Sequence, residues 1–261
     1  MGKLLFGPGG NVGKTIFDSL EILKKEGLGA QEIEFVHSIV MKEDTAKKAG
    51  ELAKNLGIRL SIHAPYYVNL LSAEDHKIVA SKKRILDCCR IGEILGVKSI
   101  VFHPAFYGKY EKEEAFQKVK EQVLDMMKTC QEENLSPELC PETMGKGSQF
   151  GDYEEIIRLS KETGCGVCID FAHIYARNLG KIDYDDVFSK LKKLNLKEIH
   201  SHFSGIVYGD KGERHHIQME IERAEELLKY AKKYDLNLVI INESPDPFKG
   251  AMDMKKVCEK L

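Results

Sequence analysis

The sequence contains no tryptophan, and no apolar run approaches the roughly 18 residues of a membrane-spanning helix. The opening MGKLLFGPGG also lacks the apolar stretch of a secretory signal, so a cytoplasmic protein with no membrane partner is expected. Excess positive charge is missing as well. Lys and Arg number 39 against 41 Asp and Glu, a formal net charge of −2. A protein held to nucleic acid by bulk charge is usually basic, so any such contact here requires a local patch or bound cations. No Pro/Ser-rich linker, charge block or low-complexity tract divides the 261 residues, and one domain spanning residues 1–261, acting as a monomer, is expected. Tryptophan's absence and abundant Lys and Glu lean toward heat-adapted compositions. The 7 cysteines, two of them adjacent at Cys88 and Cys89, read as reduced thiols. Cys165 and Cys168 have CxxC spacing, but they lie in an apolar, strand-like run without a second such pair.

What the chain does have is alternation. Short apolar or β-branched runs recur at Lys3–Gly7, Glu32–Val36, Arg59–His63, Ser99–His103, Ser136–Pro141, Gly166–Asp170, Glu198–His202 and Leu238–Glu243. Runs of this kind suit strands buried on both faces. Amphipathic stretches lie between them, near Thr15–Glu26, Glu43–Leu56, Ala73–Leu95, Lys112–Glu133, Asp152–Thr163, Tyr184–Leu194, Gln218–Tyr234 and Met252–Glu259. Gly57, Gly96 and Gly164 punctuate helix ends. Eight β-then-α units in order predict an α/β fold, a single (β/α)8 TIM barrel, ahead of a doubly wound open sheet. The segment Gly7 to Thr15 invites a phosphate-loop reading. Pro8, however, stands where the pattern needs a glycine and has no N–H to offer a phosphate, so a plain βα loop is expected.

The chemistry sits at the strand ends. His63, His103, Asp170, His200 with His202, and Glu243 close candidate strands, and Glu142 follows the fifth. Each alone is most simply a capping or core residue. Six successive ends converging on one barrel mouth, where active sites of this fold lie, are different. Carboxylates and imidazoles gathered there need cations to offset desolvation. Nitrogen and oxygen donors without thiolate suit zinc, manganese or iron, and a carboxylate can bridge two ions. His173 lies about one helical turn beyond Asp170. Glu213 and His215, two residues apart in a polar loop, can chelate one ion if the loop is extended.

These fragments, with His63-Ala64-Pro65-Tyr66-Tyr67-Val68-Asn69-Leu70, Pro141-Glu142-Thr143-Met144-Gly145, Cys168-Ile169-Asp170-Phe171-Ala172-His173, His202-Phe203-Ser204-Gly205 and Asn242-Glu243-Ser244-Pro245, resemble the endonuclease IV family of apurinic/apyrimidinic endonucleases. That family lies within the xylose-isomerase-like barrel superfamily. The resemblance implies two to three Zn2+ ions, with Mn2+ as an alternative. It places His63, His103 and Glu142 on the first ion, Asp170, His202 and Glu243 with bridging Glu142 on the second, and His173, Glu213 and His215 on the third. His200 competes with His202, which is preferred because His-Phe-Ser-Gly is closer to the family's segment.

The resemblance further implies a metal-activated hydroxide attacking the phosphodiester 5′ of an abasic site in double-stranded DNA, with Glu142 orienting it and Tyr66 and Tyr67 stacking in the gap left by the missing base. The chain departs from the family in Glu213, where Asp is usual, in Thr143, where Asn is frequent, and in a compact segment from Val36 to Ala46. That short loop and the slightly acidic charge favour the alternative, a metal-dependent sugar isomerase or epimerase of the same superfamily.

Overall fold

A computed structural model describes residues 2–261. The first half runs β1 (Leu4–Pro8), α1 (Ile16–Glu26), β2 (Ala30–Glu34), α2 (Glu43–Leu56), β3 (Arg59–His63), α3 (Asp75–Leu95), β4 (Ser99–Phe102), β5 (Ala105–Phe106) and α4 (Lys112–Glu132). Next come β6 (Glu138–Pro141), β7 (Gln149–Phe150), α5 (Tyr153–Thr163), β8 (Cys168–Asp170), α6 (Phe171–Arg177) and α7 (Tyr184–Lys192). The chain finishes with β9 (Ile199–Phe203), β10 (Gly205–Gly209), β11 (Gly212–Ile217), α8 (Ile221–Tyr234), β12 (Leu238–Asn242) and α9 (Pro247–Lys260).

Two parallel four-stranded sheets, β1-β12-β9-β8 and β2-β3-β4-β6, form the wall. Parallel bridges from Gly9 to Glu32 and from Glu142 to Cys168 join their edges and close the eight-stranded barrel. The outward side chains, among them Leu60, Ile62, Ile100, Phe102, Leu139 and Ile169, pack under the helices. Each helix meets them with one apolar stripe. On α4 this is Ala115, Phe116, Val119, Val123, Met126 and Cys130, spaced at three and four residues. Burial of each large apolar side chain stabilises the fold by about 1.5–3 kcal/mol. Gly57, Gly96 and Gly164 end α2, α3 and α5 in the left-handed conformation.

The second strand begins and ends two residues earlier than the sequence pattern predicts, leaving Val36 41% exposed beyond it. A further helix, the short α6, starts directly after β8 because the Asp170 carboxylate accepts the His173 N–H at 2.7 Å and caps it. The loop after β1 is not a phosphate cradle. Thr15 and Asp18 form a reciprocal capping box at the start of α1, so a carboxylate occupies the place an anion would take. No helix among the described residues is long and apolar enough to cross a membrane.

Side chains two apart share a face of a strand. Val101, Cys140 and Cys168 pack together inside the barrel, as do Ala30, Val239 and Ile241. Two residues further along the same strands lie His103, Glu142, Asp170 and Glu243. Barrel closure and strand parity therefore deliver these groups to one mouth.

Candidate metal centre

Glu142 stands at the middle of the mouth, 1% exposed. Its Oε2 lies 3.2 Å from His63 Nε2 and 3.1 Å from His103 Nε2. Its Oε1 lies 3.1 Å from His202 Nδ1 and 3.4 Å from His173 Nδ1. One carboxylate thus faces four imidazoles, two on each oxygen. The backbone fixes it there, since Glu142 N–H donates to Phe102 O and Thr143 N–H to Cys168 O.

The donors fall into adjoining sets whose candidate ligand atoms lie within 4.8 Å of one another: His63 with His103 and Glu142; Glu142 with Asp170, His202 and Glu243; and Asp170 with His173 and His216. His63 Nδ1 donates to Ala64 O at 2.8 Å and leaves Nε2 toward Glu142. His173 Nδ1 faces Thr143 O at 2.9 Å, with Nε2 turned to His216 Nε2 at 3.3 Å and to Glu213 Oε2 at 3.6 Å. Asp170 spends Oδ1 on the cap of α6, while its buried Oδ2 accepts no hydrogen bond. Imidazoles oriented through their second nitrogen around a buried, underused carboxylate are what divalent-metal ligands require. The residues present fit such ions.

One expected ligand is displaced. His215 is exposed, and His216 takes the place beside His173. The cause is a β-bulge in the β10–β11 hairpin. Tyr208 pairs with Glu213 and Val207 with His215, leaving Arg214 without a partner strand residue. The extra residue reverses parity, so Glu213 and His216, not Glu213 and His215, face the mouth. Ser204 Oγ fixes His216 at Nδ1, 2.6 Å away. Gly145 admits the hairpin, since a Cβ there would lie 2.6 Å from Glu213 Cβ. His200 does not reach the mouth; its Nε2 lies 2.9 Å from Glu32. Two carboxylates escape the sequence pattern. Glu32 is fully buried and Glu34 partly so; in the sequence the first looks like a strand's polar start and the second like an interruption of its apolar run.

Electrostatics match this crowding. Burial opposes ionisation of Glu142, yet the His202 and His103 imidazoles hold its carboxyl well below the usual range. Burial would lower His63, but its hydrogen bond to Glu142 and the charges of Glu142 and Glu32 raise it to about 9. Burial likewise opposes charge on both His202 and His173, but Cys168 with Glu243, Glu32 and Glu142 raises the first, and Asp170 with Glu142 and Glu213 raises the second. Glu243 moves the other way. Burial, aided by Glu142 and Asp170, pushes it up to about 8 against the pull of His202. The CxxC thiols are buried, and burial raises Cys165 to about 11 and Cys168 well above its usual value, so neither is a reactive thiolate.

Tyr66 and Tyr67 rise at the rim, 48% and 62% exposed. The Tyr66 ring lies 5.4 Å from both the His63 and His103 rings, and Tyr67 stacks on His37 at 5.8 Å.

Comparison with known proteins follows the same lines. A protein of Methanocaldococcus jannaschii described as uncharacterized is 38% identical over 239 residues, covering 88% of this chain and 86% of that one. An apurinic-apyrimidinic endonuclease of Caenorhabditis elegans is 33% identical over 204 residues, 70% of this chain but 50% of that enzyme's length. Among solved structures, endonuclease IV from Thermus thermophilus superimposes with a TM-score of 0.71 at 21% identity, covering 99% of this chain and 100% of that one. A D-psicose 3-epimerase does so at 0.68 and 15%, covering 99% and 96%. Both likenesses establish the barrel and not the reaction. A family model described as xylose isomerase-like TIM barrel matches residues 20–218, and the chain belongs to that family.

Proposed function

We propose that the chain is a divalent-metal-dependent phosphodiester hydrolase that cuts double-stranded DNA on the 5′ side of abasic sites, working as a cytoplasmic monomer with zinc as its ion. The observation that carries this reading is the third donor set. Asp170, His173 and His216 form that set, with Glu213 3.6 Å from His173, beside the two sets that share Glu142, and three such sets suit three ions where a proton-shuttling isomerase needs one or two. The name of the Caenorhabditis elegans relative supports it.

In this reading His63 and His103 would hold one ion, Asp170, His202 and Glu243 a second, and His173, Glu213 and His216 a third, with the Glu142 carboxylate available to the first two. Divalent ions supply positive charge for phosphate oxygens and acidify water. The chain's own groups do the rest. Glu142 fixes four imidazoles at once and orients the attacking water. The buried Oδ2 of Asp170 and the carboxyl of Glu243 complete a wall of acceptors. Tyr66 and Tyr67 offer ring faces to the gap in a base stack.

The third set has its own test. His216→Ala is expected to lower the zinc content by about one ion per chain, and His215→Ala to leave it unchanged, by elemental analysis after dialysis. Equal losses in both would return the ligand role to His215.

A metal-dependent sugar epimerase is the second reading, favoured by Glu243. Glu142 and Glu243 stand together at one mouth as carboxyl groups able to move protons on either side of a small substrate. Metal-replete protein incubated with a duplex containing one abasic site separates the two. Chelator-sensitive incision 5′ of the site supports the hydrolase. Intact DNA, together with solvent-deuterium uptake into a ketohexose, would replace it with the epimerase.

A further inference from the structure

Below the mouth the barrel interior departs from the aliphatic packing usual for this fold. Glu32, on β2, is 0% exposed. Two groups hydrogen-bond to it, Ser61 Oγ donating to Oε2 at 2.8 Å and His200 Nε2 lying 2.9 Å from Oε2, while His202 Nε2 faces Oε1 at 2.9 Å off the line of a hydrogen bond, neither atom having another polar partner. Both ion-pair partners found for it are imidazoles. A carboxylate so deep is tolerated only if its neighbours present protons to it. An unprotonated Nε2 would set its lone pair against the Glu32 carboxylate, so neutral His202 carries its hydrogen on Nε2. Its lone pair then lies on Nδ1, which points the other way, 3.1 Å from Glu142 Oε1 and 3.3 Å from Glu243 Oε1.

We propose that Glu32 is a positioning residue of the metal centre, setting the tautomer and ring orientation of His202 so that Nδ1 is offered to the ion shared with Glu142, Asp170 and Glu243. Ser61 and His200 in turn hold Glu32. This accounts for two histidines on one strand face with different fates: His202 a ligand, His200 its support. It also excludes a rival site. Cys168, His200 and His202 lie close enough to hold an ion, but Nε2 of each imidazole already faces the Glu32 carboxylate at 2.9 Å. The inference rests on the metal-centre reading and not on the choice of substrate.

The test is zinc affinity of the full chain, by competition with a chromophoric chelator, together with nitrogen NMR of zinc-loaded protein labelled at histidine. In Glu32→Gln the amide NH2 confronts an imidazole N–H. Zinc affinity at the weakest of the tight sites is expected to fall about 10- to 100-fold, the usual loss when such an outer partner is removed. In the parent, His202 is expected to carry its proton on Nε2 and the metal on Nδ1, and this signature is expected to change in Glu32→Gln. Ser61→Ala is expected to weaken zinc in the same direction by a few-fold. A change in melting temperature alone, with affinity and the His202 signature intact, would overturn the proposal. Should Glu32→Gln fail to fold, unchanged affinity in both Ser61→Ala and His200→Gln would also overturn it. A parent chain that binds no zinc would instead sink the metal-centre reading itself.

Discussion

Glu142→Gln is expected to abolish the activity while leaving the barrel folded. The carboxylate contacts His63, His103, His173 and His202, and it is 1% exposed. The amide keeps the shape but loses the charge, and its NH2 must face two imidazoles for which the carboxylate oxygen was an acceptor. Loss of the charge that holds the first two donor sets together is expected to release at least one ion per chain. Incision of an abasic duplex should fall by at least about 10²- to 10³-fold, the scale for removing one preorganised electrostatic partner of a transition state. Steady-state incision with parallel elemental analysis measures both. Full activity, or full metal content, in Glu142→Gln would remove Glu142 from the centre of the site.

The second large effect concerns pH. In the chain stripped of metal, the imidazoles of His63, His173 and His202 balance the carboxylates by holding protons, whereas burial lowers His103 and His216. His63 is raised from 6.5 to about 9, so the stability it contributes is complete below about pH 6.5 and disappears as pH rises through 9. Glu243 is raised from 4.5 to about 8, so the folded chain also keeps this proton longer than the unfolded one, and stability falls as pH rises between those values. Both groups act in the same direction between pH 6.5 and 8, and His63 continues to 9. The lowered carboxyls of Glu142 and Glu32 act only at acidic pH, where their protonation destabilises the fold. Metal-free protein is therefore expected to melt at progressively lower temperature from about pH 6.5 to 9, with His63 alone accounting for up to about 3 kcal/mol.

Zinc requires neutral imidazoles and an ionised Glu243, so binding is expected to release protons near neutral pH and to strengthen as pH rises. The zinc-loaded chain should then lose little stability over the same range. Thermal melts with and without chelator, and zinc calorimetry in buffers of different ionisation enthalpy, test this. A metal-free melting temperature that rises toward pH 9, or zinc uptake without proton release, would contradict it.

The barrel is legible in the sequence because its strands are buried on both faces and its helices are amphipathic, two patterns that differ in period. The mouth is legible because a barrel converts position along a strand into position in space. His63, His103, Glu142, Asp170, His202 and Glu243 each sit at or just past a strand's C-terminal end, and closure brings them together. What sequence does not reveal are events of single-residue parity. The bulge at Arg214 is a backbone feature with no residue signature, and it exchanges His215 for His216. Choosing between His200 and His202 requires knowing which layer of the interior each occupies. Glu32 escapes notice because Ile33, Phe35 and Val36 draw the predicted strand two residues late, so its carboxylate looks like a strand end instead of the polar heart of the barrel. The helix α6 is too short for apolar periodicity to announce. Its one signal, Asp170 as a cap three residues before His173, is legible only as a spacing.

Everything else depends on a polynuclear metal centre built on Glu142. Elemental analysis of purified, dialysed protein, with the identity of each element determined, addresses it directly. Between two and three divalent ions per chain, predominantly zinc, and a drop of about one in His216→Ala are the expected results. A single ion or none, after growth and purification with zinc supplied, would contradict it.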